Sequence, residues 1–94
     1  MSEYNLQSIG DITDVRKTFK DEDEFVVMTK EGLKFCNITT YNVTLNKKEE
    51  YFKHKNVVGA FEYLPNVFVV ALDTEQWLQK LDRKIKRSSN FVKN

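Results

Sequence analysis

The stretch Asn56–Leu81, NVVGAFEYLPNVFVVALDTEQWLQKL, holds the densest apolar run of the chain and its only tryptophan. Val57–Tyr63 and Val67–Leu72 flank Leu64-Pro65-Asn66. Proline presets φ for the second position of a turn, and asparagine tolerates the left-handed conformation that often follows. The stretch therefore predicts a β-hairpin. Its second strand, VFVVAL, is apolar at both odd and even positions, as a central strand covered on both faces is.

Working outward, the earlier chain looks like a looser copy. Phe25–Met28 is a β-branched and aromatic run, Thr29-Lys30-Glu31-Gly32 a turn, and Leu33, Phe35 and Ile38 resume the alternation. The glycine suits the positive φ of a tight hairpin. Val15–Lys20 reads as a strand ending at the acidic run Asp21-Glu22-Asp23-Glu24, with a short first strand before it. Thr39–Asn46 continues as strand after a bend, Lys47-Lys48-Glu49-Glu50 reads as a polar turn, and Tyr51-Phe52 opens another extended segment.

Residues 73–87, DTEQWLQKLDRKIKR, carry two readings. As a helix, Trp77, Leu78, Leu81 and Ile85 share an arc of about 100°, with Lys80, Arg83, Lys84 and Arg87 turned away. As strand, Trp77, Leu81 and Ile85 share one face, interrupted by Gln79 and Arg83. The local pattern favours the helix.

Laying Val15–Val27 over Val58–Val70, at an offset of 43, gives identities at Val15/Val58, Phe25/Phe68, Val26/Val69 and Val27/Val70, and brings Asp23 onto Asn66. With two further residues in the later copy, Gly32-Leu33 falls opposite Trp77-Leu78. A period of roughly 40–45 residues is that of a four-stranded propeller blade. The patterns EFVVMTKEGLKF and NVFVVALDTEQWLQKLDRK resemble the second and third strands of β-propeller blades of the Trp-Asp-repeat-like kind. The signature Gly-His and Trp-Asp dipeptides are absent, which leaves the polar side-chain network of such blades unsupported. The resemblance implies an all-β fold of antiparallel hairpins, in two four-stranded sheet repeats over about 12–54 and 55–94. The 94 residues then form one domain or a fragment of a larger one, because a propeller closes with about four to eight blades. The alternative is a barrel or sandwich closed by an amphipathic helix over 74–87, which resembles the pleckstrin-homology fold.

Chemistry-bearing residues are sparse. With one histidine and one cysteine, neither a tetrahedral zinc site nor a Ser/His/Asp triad has its parts. Cys36 lies in an apolar alternating run and reads as a buried thiol. The three glycines are too far apart for a phosphate loop. The carboxylates at 21–24 and 49–50 read as solvated turns, which supply no pKa shift for acid–base work. No catalytic residue, metal or cofactor is expected, and the chain reads as a non-enzyme.

Net charge is +1, divided into −3 over residues 1–50 and +4 over 51–94. Trp77 reads first as core; exposed, it would anchor an interface. Lys80, Arg83, Lys84 and Arg87 complete the candidate partner-binding set. The expected role is a protein-interaction or scaffold module, within a larger propeller-like assembly, that meets another protein chain or a second copy. The pleckstrin-homology alternative implies an adaptor for anionic lipid or phosphoinositide. Aromatic interleaving is too sparse to favour nucleic acid. No apolar run approaches the ~20 residues of a membrane helix, and the N-terminus lacks a secretory pattern. The sequence-based expectation is an intracellular, soluble protein.

Overall fold

The computed structural model describes residues 9–91. Eight strands follow in order: β1 (Ile12–Lys17), β2 (Glu24–Thr29), β3 (Gly32–Ile38), β4 (Val43–Tyr51), β5 (Val57–Leu64), β6 (Val67–Leu72), β7 (Gln79–Asp82) and β8 (Arg87–Asn90). They form two four-stranded antiparallel sheets, ordered β1-β2-β3-β4 and β5-β6-β7-β8, and the described residues contain no helix.

Two turns account for the best-defined hairpins. Gly32 closes β2–β3 at φ 130°, where a Cβ would stand 2.9 Å from the carbonyl oxygen of Tyr51. Asn66 closes β5–β6 at φ 67°, behind Pro65. The β2–β6 correspondence at an offset of 43 carries through the ladders. Val27 pairs with Lys34 in the first sheet and Val70 with Gln79 in the second, so third-strand positions correspond at an offset of 45. The N–H of Ile38 donates to the Asp23 carbonyl (2.7 Å), and that of its counterpart Arg83 donates to Asn66 (2.8 Å).

Three local expectations give way. No helix spans 74–87. A turn occupies 73–78, β7 runs along the β6 edge, and a second turn leads into β8. The edge of β6 presents unpaired backbone groups that an extended Gln79–Asp82 segment satisfies and a helix would leave open. Of the apolar stripe of that helix, only Leu81 enters the core; Trp77, Leu78 and Ile85 are 60%, 49% and 63% exposed. Lys47–Glu50 does not turn either, since β4 runs through it, with Glu50 paired to Lys34. The core expectation for Trp77 falls with the helix.

The main core lies between the sheets. Val26, Met28, Leu33 and Phe35 of the first meet Val57, Ala60, Phe68, Val70, Leu72 and Leu81 of the second, with Tyr51 and Phe52 at the margin. Phe35 packs edge-on to Phe68 (5.4 Å between centroids) and to Tyr51 (6.0 Å).

The faces that meet are not equivalent. In the repeat, Phe68 and Val70 correspond to Phe25 and Val27, yet the first sheet presents Val26 and Met28 to the junction. One sheet offers the face that the other turns away. Val27 and Cys36 lie on the far side of the first sheet, buried with Ile9 and flanked by Ile38, Val43 and Leu45. Backbone ties fix the arrangement: Thr13 Oγ1 donates to the Val57 carbonyl (2.9 Å), and the Glu62 carboxylate accepts the N–H of Phe19 (2.6 Å) and of Asn66 (2.8 Å).

Candidate interaction surface

Arg83 follows β7 directly and turns into the junction, where it is buried. Its Nη1 and Nη2 donate to Oε1 and Oε2 of Glu24 at 2.8 and 2.9 Å. Its Nε and Nη2 donate to Oε2 and Oε1 of Glu49 at 2.9 and 2.7 Å. Two edges of one guanidinium thus hold two carboxylates from β2 and β4, each in the bidentate geometry that suits arginine. The plane lies over the Phe35 ring, 3.8 Å from its centroid. Thr18 Oγ1 donates to Glu24 Oε1 (2.7 Å) and the Tyr51 hydroxyl to Glu49 Oε2 (2.9 Å).

The electrostatics follow. Burial works to raise the Glu24 pKa, but hydrogen bonds from Arg83 and Thr18 and the charges of Arg83 and Lys20 outweigh it and hold it below its ordinary value. For Glu49 the Arg83 hydrogen bonds dominate over burial, with the same outcome. Burial and the bond to Glu49 push the Tyr51 hydroxyl upward. The cluster is a structural clamp between the sheets. It corrects two expectations: Arg83 does not join a solvent-facing basic face, and Glu24 and Glu49 are not solvated. The sequence offers no blade-type network, but the fold assembles a different one.

The remaining candidates are scattered. Trp77 lies in the β6–β7 turn, and Lys84 lies in the β7–β8 turn at the opposite end of β7. Lys80, exposed in mid-strand, pairs with Val69 and Ser89. Arg87, also exposed, begins β8 opposite Asp82. Lys80 and Arg87 share the outer face of the second sheet, and the five residues form no single cluster.

That outer face is the feature that residue-by-residue reading missed. Phe61, Val69, Lys80 and Ser89 form one cross-strand row, with Gly59 and Ala71 in the next. Val58, Phe61 and Leu78 are 52%, 48% and 49% exposed. A shallow groove of about 290 Å³ runs between them, rimmed by Asp14 and Arg16 of β1. A second, of about 270 Å³, lies between Val67, Lys80 and the edge-to-face pair Tyr63–Phe91. Among the described residues no second sheet lies over this face, although Val69 within it is buried, so β6 is covered by a sheet on one side only. Single exposed apolar residues need no explanation, but a contiguous set on one sheet face does. The hint in the sequence was the apolar odd positions of β5 and β6.

Among the described residues, no three His, Cys, Asp or Glu side chains are grouped to hold a metal. No helix among them is long and apolar enough to cross a membrane. No family model, curated protein or solved structure matches the chain.

Proposed function

We propose that this chain is a non-enzymatic protein-interaction module, two propeller-like blades that form part of a larger propeller-like assembly. One observation carries the reading: the two sheets pack through non-equivalent faces. Two repeats related by a two-fold axis would bury like against like and finish. Packing of unlike faces leaves, at each end, a face of the kind already used inside, and such contacts continue until a ring closes. The exposed Val58, Phe61 and Leu78 are the physical consequence on the second sheet. The all-exposed edge strand β1 suits a strand facing the axis of an unfinished ring.

A photoreactive side chain at Leu78 tests the reading, with the exposed turn residue Lys30 as control. In cell extract, position 78 is expected to form covalent adducts with protein and position 30 is not. Adducts to lipid alone, or equal labelling at both positions, would count against the interaction reading.

A further inference from the structure

We propose that the open face of the second sheet receives the first sheet of another copy of this chain, head to tail, repeating the junction inside one copy. The proposal rests on the two-blade reading and adds the identity of the neighbour.

Each part of the internal junction has a counterpart on the outer faces of the two sheets. The first sheet meets the second through Val26, Met28 and Leu33; the same ladder positions in the second sheet are Val69, Ala71 and Leu78, on its open side. The second sheet answers with Phe68, Val70 and Leu81; the same positions in the first are Phe25, Val27 and Cys36, on its outer side. The described cover there is Ile9, whose carbonyl accepts a hydrogen bond from Lys34 Nζ (2.6 Å). In the assembly the neighbour's sheet face takes the place that Ile9 holds against Val27 and Cys36.

The charges agree as well. Glu24 and Arg83 form the buried pair of the internal junction. Their counterparts are Val67 and Ile38, as the parallel backbone bonds of Ile38 and Arg83 fix. Both members are apolar together, so at this pair of positions the repeated junction buries no lone charge, the arrangement that costs most. Lys80 stands at the place of Phe35, the ring beneath Arg83. In a neighbouring copy that surrounding belongs to Ile38, whose N–H is held by Asp23 at the acidic 21–23 turn. Two to four copies would supply the roughly four to eight sheets at which propellers close.

Sedimentation velocity of the full chain across a concentration series is the test, with Val67→Glu, Ile38→Arg, the double variant and Leu78→Glu. The wild type is expected to sediment as a closed oligomer. Each single change at 67 or 38 should weaken association by about tenfold or more, because it buries a lone charge. The double variant should recover it, since every head-to-tail junction would then pair a new glutamate with a new arginine, as Glu24 pairs with Arg83. Leu78→Glu, at a half-exposed site, should dissociate the oligomer while leaving the melting temperature of the monomer unchanged. That variant keeps the test open if either buried-charge variant fails to fold. A chain that stays monomeric at every concentration, or a double variant no better than the singles, overturns the proposal. If a monomeric chain still forms Leu78 adducts with a different protein, the interaction reading stands and only self-assembly fails. An oligomer unaffected by all these changes assembles through other faces and overturns the head-to-tail junction, while the Leu78 labelling alone decides the interaction reading.

Discussion

At Arg83 a fixed cation, two carboxylates and an aromatic ring occupy one buried volume. A buried ion pair is weak evidence of net stability, because desolvation offsets the Coulomb gain, but breaking one is costly. Arg83→Met is therefore expected to lower unfolding free energy by about 3–5 kcal/mol, leaving two acids facing each other. Adding Glu24→Gln and Glu49→Gln to that variant should return a substantial part of the loss. Urea unfolding of the single and triple variants checks this; a triple variant less stable than the single would contradict the clamp. The cluster was illegible in the sequence for a specific reason. Its partners lie 59 and 34 positions from Arg83, while its near neighbours are Lys80, Lys84, Lys86 and Arg87. Local charge pattern described the neighbours correctly and Arg83 wrongly. Glu24, likewise, ends an acidic run yet is the residue of that run that begins a strand and turns inward.

Among the elements, hairpins with a strong turn were the legible ones. Gly32 and Pro65-Asn66 state their turns through backbone sterics, which need no distant partner. Gly32→Ala is expected to cost about 1–3 kcal/mol for the positive φ alone. The new Cβ would also press against the Tyr51 and Phe52 carbonyl oxygens at 2.9 and 3.1 Å. A thermal melt reads the loss directly, and an unchanged midpoint would remove the steric argument. β7 was illegible for the opposite reason. Residues 74–87 carry a good amphipathic helical pattern, but the strand is dictated by the unpaired edge of β6. That demand is tertiary, and it leaves Trp77 and Leu78 outside the core.

Across the whole molecule, an apolar layer, the Arg83 clamp and the Thr13 and Glu62 ties hold the two sheets together, and the clamp should make the junction respond to acid. Both Glu24 and Glu49 are held below the ordinary carboxylate value of 4.5. Their folded-state pKa values are depressed, so their contribution is complete above the unfolded value and is lost as pH falls through the folded ones. Urea midpoints measured from neutral to acid pH are expected to fall on the acid side. Glu24→Gln should make that fall shallower. An identical acid limb in wild type and variant would show that the Glu24 carboxylate contributes no proton linkage.

The sequence by itself determined the strand-rich composition, the two strongest hairpin turns, the buried Cys36 and the 43-residue correspondence of β2 with β6. Each of these is local, or is a comparison of one local pattern with another. Only the tertiary structure decided which face of each sheet is covered. Strands apolar at odd and even positions do not say which side meets a neighbour, and an offset of 43, being odd, is silent on whether like or unlike faces pair. That choice is made when Val26 and Met28 meet Phe68 and Val70 across the core. It also buries Arg83 and leaves Val58, Phe61 and Leu78 facing outward.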